Sequence, residues 1–331
     1  MRTNRHRAAV LLLSLLVCLG SSCLLRLGRL EPESVEALPA TPEQLARGKY
    51  LVEHVAVCID CHSQRDWDKF SGPIVAGTEG QGGEVFDSRH GVLGVVYGTN
   101  ITPAGIGHWT EDELVKAITV GVSKDGRVLF PVMPYRNYRH LTRNDAAAVL
   151  SYVRTLTAIE HNVPPRRLNP FVRLFIRSFT KGTVRLANTI DHRDTVEYGR
   201  YLTTVAGCGD CHTPRGRIGK PKEKRSMSGG VGFTLPQGRV VAANITSDVK
   251  TGIGTWSKTA FVGRFKSYAS PEARNTPVGP QGMNTIMPWT MYAGMHDADL
   301  GAIYDYLRQV APVKNRVETF TPNTRDRPRR D

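Results

Sequence analysis

Cysteine is scarce in this chain, with six residues in 331. That is too few for a small fold held together by disulfides. Acids are also short, 30 against 44 Lys and Arg, which leaves a formal charge of +14. Beyond residue 30 there is no apolar run of the ~17–25 residues that a membrane-spanning helix needs. What is present excludes two further classes. The apolar fraction is 40%, too high for a disordered chain. Gly and Pro together number 52, too many for a plain helix bundle.

Residues 1–30 read as a leader. Arg2, Arg5, His6 and Arg7 open it, and Ala8 to Leu25 follow without a charge. A basic start followed by an apolar run is the export pattern. Cys23, after Leu19-Gly20-Ser21-Ser22, loosely matches a lipoprotein cleavage site, and Cys18 matches it less well. The uncharged run also falls within membrane-spanning length. A lipid anchor, a retained membrane anchor and a cleaved leader all fit, and tethering by this segment is expected. Residues 1–23 carry three arginines and no acid, so the chain without them is +11.

The body of the chain repeats itself after about 150 residues. Cys58-Ile59-Asp60-Cys61-His62 recurs as Cys208-Gly209-Asp210-Cys211-His212, and Gly48-Lys49-Tyr50-Leu51 as Gly199-Arg200-Tyr201-Leu202. Asn100-Ile101-Thr102 recurs as Asn244-Ile245-Thr246, and Trp109 as Trp256. Met133-Pro134-Tyr135 recurs as Met287-Pro288-Trp289. From these methionines the copies run without a gap, so that Tyr138, Asp145, Tyr152 and Arg154 match Tyr292, Asp299, Tyr306 and Arg308.

The pattern predicts two mainly α-helical domains, 41–160 and 194–312. Thr41, Thr110 and Thr142 or Asn144 offer helix caps in the first copy; Asp194, Ser257 and Asp297 offer starts in the second. The Gly-rich stretches 71–107 and 226–254 read as loops with room for short strands. Residues 161–193 form a basic linker in which Phe171, Leu174, Phe175 and Phe179 alternate with Arg173, Arg177 and Lys181. A membrane-surface helix has this composition. A helix packed across the two domains is the preferred expectation. The basic run 313–331 reads as a disordered tail.

Cys-x-x-Cys-His is the attachment motif of c-type haem. Two thiols one helical turn apart reach the two haem vinyl groups, and the following His sits under the iron. A zinc site would need two more ligands of similar spacing. A thioredoxin-like pair would need a strand–helix context. The expectation is therefore two covalently bound c-type haems, through Cys58 and Cys61 and through Cys208 and Cys211, with His62 and His212 as axial ligands of the iron. The sixth iron position decides the chemistry: Met favours electron transfer, and an open position allows peroxide or dioxygen chemistry. Met133 is the one methionine of the first copy, 71 residues after His62; Met287 lies 75 after His212. Both precede Pro, and both are the expected sixth ligands. Met283, Met291 and Met295, and His54, His90, His108, His140 and His296, are the competitors. Arg65 and Arg215 are expected to be solvated, and Trp109 and Trp256 to serve either the porphyrin or the core. No catalytic residue is assigned.

With these residues in view, the sequence is similar to dihaem c-type cytochromes built from two class I cytochrome c domains. More narrowly it resembles the cytochrome c subunits of bacterial periplasmic alcohol and aldehyde dehydrogenases. The likeness rests on Cys58–His62, Asn100-Ile101-Thr102, Trp109, Met133-Pro134-Tyr135, their second copies and the Val163–Phe179 linker, and it covers about residues 41–312. Members of that group often carry three haem motifs and a C-terminal membrane helix, whereas this chain has two motifs and a basic tail. The resemblance implies an electron carrier of a respiratory chain, not an enzyme. It would pass electrons from a dehydrogenase or quinol-oxidising complex to a terminal oxidase or another cytochrome. The partners would be redox proteins with acidic docking surfaces. The place would be the periplasmic side of a bacterial inner membrane, with the N-terminus as anchor and no role for nucleic acid. The alternative is a dihaem peroxidase or an oxidoreductase of small sulfur compounds. The first wants an open iron and the second an extra Cys, and no Cys outside the leader is spare.

Overall fold

The computed structural model describes residues 40–180, 184–216 and 221–323. The leader, with Cys18 and Cys23, and the end of the tail lie outside these ranges.

The chain order is α1 (Pro42–Tyr50), α2 (Cys58–Cys61), β1 (Val85–Phe86), β2 (Gly94–Tyr97), α3 (Pro103–Ile106), α4 (Glu111–Val120), α5 (Tyr135–Tyr138) and α6 (Arg143–Val153). The linker adds β3 (Arg167–Leu168) and α7 (Pro170–Ile176). The second copy gives α8 (Thr195–Val205), α9 (Cys208–His212), β4 (Gly232–Leu235), β5 (Gly238–Val241), α10 (Lys258–Lys266), α11 (Pro271–Arg274), α12 (Trp289–Tyr292), α13 (Asp297–Gln309) and β6 (Phe320–Pro322). The protein is mainly α-helical, with two three-stranded sheets of order β1-β2-β3 and β4-β5-β6.

The caps anticipated above form. Thr41 Oγ1 accepts the Gln44 N–H, Thr110 and Glu113 make a reciprocal capping box, and Thr142 rather than Asn144 caps α6. Asp194 caps α8 and Ser257 caps α10. Asp297 is the first residue of α13 rather than its cap. After α1 the chain widens into a π-turn, Leu51–Val55, and then reverses at Val57, whose φ is 45°. A β-branched residue is strained there. The matching position of the second copy is Gly207, φ 69°, which adopts that backbone without penalty.

Each copy is built on the crossing of its first and last helices, α1 on α6 and α8 on α13. The approach is close enough to exclude a side chain. A Cβ at Gly48 would lie 2.0 Å from the Ala148 carbonyl oxygen, and one at Gly199 would lie 1.9 Å from that of Ala302. Leu51, Val55, Val115, Leu202 and Leu300 are fully buried in the core that surrounds these crossings.

The two copies are locked by a reciprocal exchange. Tyr50 of the first donates its hydroxyl to Asp299 of the second at 2.6 Å, and Tyr201 of the second donates to Asp145 of the first. Arg47 closes one side, with Nε and Nη2 each 2.8 Å from the Asp145 carboxylate.

Two expectations are corrected. Residues 313–323 are not a free tail: they run back along the second copy, and β6 pairs with β5 in the register Val240↔Phe320. The start of the linker does the same for the first copy, where β3 pairs with β2 as Gly94↔Leu168. Both segments are sheet strands because β2 and β5 otherwise leave an open edge of backbone donors and acceptors. The linker helix α7 does not pack across both copies. Val172, Ile176 and Phe179 pack on Val92, Val96 and Phe130 of the first copy alone, and Phe171, Leu174 and Phe175 are exposed.

The crossings give a prediction of both signs. Gly48→Ala or Gly199→Ala should cost about 1–3 kcal/mol of stability through overpacking. Gly263→Ala, in α10 with open space around it, should gain up to ~1 kcal/mol from helix propensity. Denaturant unfolding of the three variants measures both.

Candidate haem site

The motif cysteines sit on two short helices at corresponding places, α2 and α9. Both follow a left-handed residue that turns the chain sharply after α1 and α8. None of Cys58, Cys61, Cys208 and Cys211 is in a disulfide. Burial pushes all four thiols up, those of Cys58, Cys208 and Cys211 to about 12. They are neutral thiols in an apolar setting, unlike the depressed thiols of redox-active pairs. Among the described residues no group of three or more His, Cys, Asp or Glu side chains is placed to hold a metal ion.

His62 and His212 are buried. Each places Nδ1 2.7 Å from a backbone carbonyl oxygen, Thr99 for His62 and Ala243 for His212. A carbonyl only accepts, so Nδ1 carries the proton in both rings. Burial lowers both imidazoles below their ordinary value, and the carbonyl bond offsets part of this. Both are therefore neutral at neutral pH, with the Nε2 lone pair available to a metal.

The repeated Asn-Ile-Thr now has a role, because those carbonyls immediately precede it. Asn100 Oδ1 accepts from the Thr102 N–H and hydroxyl at 2.9 and 2.7 Å, and its Nδ2 donates to the Ile159 carbonyl at 2.8 Å. Asn244 does the same with Thr246 and the Val313 carbonyl. Each asparagine thus ties the loop that orients the histidine to the segment that returns after the last helix and leads into β3 or β6. Asn and Thr were legible as a repeat; the partners 59 and 69 residues away were not.

All eight candidate residues line one connected, mostly apolar cavity of about 1170 Å³: Cys58, Cys61, His62 and Met133 from the first copy, and Cys208, Cys211, His212 and Met287 from the second. A single-ligand site is usually ~300–1,000 Å³. Trp109 and Trp256 line it too; Trp109 also packs against the core, and Trp256 is partly exposed. Met283 and Met295 reach the cavity, whereas Met291, His54, His90, His108, His140 and His296 do not. Paired thiols, an oriented imidazole and an apolar cavity lining fit a c-type haem.

The methionine loops are braced alike. Tyr138 donates its hydroxyl to the Ala56 carbonyl at 2.7 Å, and Tyr292 to that of Ala206 at 2.6 Å, so each loop is tied to the segment just before its own cysteines. The second loop has an additional brace from the first copy. Ser71 Oγ donates to the Met287 carbonyl at 2.6 Å and accepts the Trp289 N–H at 3.0 Å, and the Ser71 N–H donates to Asn284 Oδ1. Nothing in the repeat marks Ser71 or Asn284. Arg65 was expected in solvent, but its side chain is buried. It pairs with Asp60 at 2.9 Å, donates to the Ser71 and Gly72 carbonyls and lies over Trp67. Arg215 pairs with Asp210 at the surface.

With this geometry in place, the comparisons have a direct meaning. Aligned over 330 residues, the chain is 31% identical to the fructose dehydrogenase cytochrome subunit of Gluconobacter japonicus, covering 95% of this chain and 61% of that one. It is 28% identical to the cytochrome c subunit of the alcohol dehydrogenase (quinone) of Gluconacetobacter polyoxogenes, covering 86% and 60%. A diheme cytochrome c-type protein of Cereibacter sphaeroides is 29% identical over 78% of this chain and 83% of its own. The chain is a relative of dehydrogenase cytochrome c subunits. It spans about 60% of the length of the first two. No family model matches it. Cytochrome c relatives imply a covalently bound c-type haem. In the described part of this cytochrome relative no helix is long and apolar enough to cross a membrane.

Asn100→Ala and Asn244→Ala should each cost about 1–3 kcal/mol, the penalty of buried groups left without partners. Equilibrium unfolding checks this, and hydrogen exchange should localise the loss to the loop and the segment that returns beside it.

Proposed function

We propose that the protein is a dihaem c-type cytochrome that carries electrons, with two tandem class I cytochrome c-like domains spanning 41–160 and 194–312. The observation that supports this most is the matched pair of carbonyl-oriented motif histidines on a cavity that also receives one Met-Pro loop from each copy. In this reading Cys58 and Cys61 would hold one haem and Cys208 and Cys211 the other, and His62 with Met133, and His212 with Met287, would supply the ligands of each iron. Bound haem supplies one-electron exchange at its iron; the chain supplies ligands, orientation and a dry pocket. His62 and His212 are fixed in one tautomer by Thr99 and Ala243. Tyr138, Tyr292 and, for the second site, Ser71 hold the methionine loops closed. Val149, Leu150, Ile303 and Leu307 exclude water from the cavity walls.

The shared cavity would keep the two haems close enough to exchange electrons within one chain. The donor would be a dehydrogenase or quinol-oxidising complex, and the acceptor an oxidase or another cytochrome. The protein would work after export, on the periplasmic side of the inner membrane, tethered by its N-terminus. Its basic surface would speed encounter with acidic partners in a salt-sensitive way.

Haem quantitation should return two per chain, and the oxidised spectrum should be low-spin with the far-red band of methionine ligation at two-haem intensity. A high-spin component, or rapid peroxide turnover, would overturn the proposal. Met133→Ala and Met287→Ala should each halve that band and lower one potential by a fraction of the ~0.8 V that axial ligands span. Ser71→Ala should weaken the band of the second site alone, although Ser71 belongs to the first copy. An unchanged band would remove Ser71 from the ligand loop's support.

A further inference from the structure

The amphipathic segment left over from the sequence carries two apolar stripes, and a globular fold needs only one. Val172, Ile176 and Phe179 form the stripe that packs on the first copy. Phe171, Leu174 and Phe175, spaced i, i+3, i+4, form a second stripe on the other face. These three are 83%, 67% and 57% exposed. The β2–β3 pairing sets Gly94 opposite Leu168, which brings Leu93, 70% exposed, to the start of the same helix. Half of the eight large apolar side chains exposed among the described residues therefore gather here. Contiguous exposure of this kind marks a contact surface rather than chance.

The surroundings define what the surface meets. Arg167, Arg173, Arg177 and Arg185 are exposed along the segment, and no acid occurs between Glu160 and Asp191. Aromatic and leucine side chains on one face, rimmed by arginine, are the make-up of a helix lying in the bilayer interface. Arginine heads reach the anionic headgroups while apolar rings enter the acyl boundary. A stable protein–protein contact buries ~1,200–2,000 Å² in total, more than one short helix and a neighbouring leucine present.

We propose that α7 and the adjoining Leu93 dock the protein on an anionic phospholipid surface, independently of any N-terminal anchor. Arg173 and Val163 also line the first copy's side of the cavity, so docking would hold that side next to the bilayer.

The test uses the full-length, haem-loaded chain with vesicles of phosphatidylglycerol and phosphatidylethanolamine, and with phosphatidylcholine vesicles for comparison. The readout is amide hydrogen exchange of residues 170–180, which reports local docking whether or not the leader also binds. The expected result is protection on the anionic vesicles alone, reversed by high salt. Phe171→Ser, Leu174→Ser and Phe175→Ser should each weaken docking about tenfold. Arg177→Gln and Arg185→Gln should each weaken it about fivefold. An unchanged haem spectrum and melting temperature show that each variant is folded. Vesicle binding without protection of 170–180 would mean that the leader alone holds the chain, and would overturn the proposal. So would equal protection on phosphatidylcholine, or protection that rises with protein concentration in the absence of lipid, the mark of self-association.

Discussion

The hydrogen bond from each motif histidine's Nδ1 to a backbone carbonyl is the constraint around which the rest of each copy is arranged. The bond needs an oxygen held at one place, and a loop does not hold still unaided. The Asn-Ile-Thr that follows supplies the restraint by turning the loop on its own side chains and fastening it to the segment that returns after the last helix. That segment leaves the last helix, which crosses the first so closely that glycine stands at 48 and 199.

The copies are related but not interchangeable. Tyr50 and Tyr201 each reach into the other copy's aspartate, adding a donor from across the seam to the one its own copy supplies, Arg47 for Asp145 and Tyr198 for Asp299. Around this symmetric exchange the first copy's loop 65–72 breaks the symmetry. Buried Arg65 stiffens it, and it delivers Ser71 to the loop that carries Met287. The Met287 loop is therefore hydrogen-bonded from the other copy, and the Met133 loop has no matching brace in the bonds described above. Two sites with the same motif are thus placed in different surroundings.

Much of this was readable in the sequence. The caps at Thr41, Thr110, Thr142, Asp194 and Ser257 are local signals, satisfied within three residues, so they appear wherever the helix forms. The motif cysteines and histidines are equally local. Arg65 illustrates the opposite case. Its burial depends on Asp60, the Ser71 carbonyl and Trp67 meeting in one place, and an arginine three residues past a histidine carries no mark of that. The ends of the two copies were also hidden, because a two- or three-residue strand has no periodicity and is recognised only by the edge it pairs with.

The sequence by itself determined the kinship to cytochrome c, through two Cys-x-x-Cys-His motifs, and the mainly helical architecture in outline, through the repeat. Only the tertiary structure decided how the copies face each other, which residues brace the Met133 and Met287 loops, and which stripe of α7 is buried. The reason is the same in each case. Covalent motifs and caps act over a few residues along the chain, whereas burial is settled by what lies opposite in space. A helix with two apolar stripes announces both equally, and the sheet beneath it chose one.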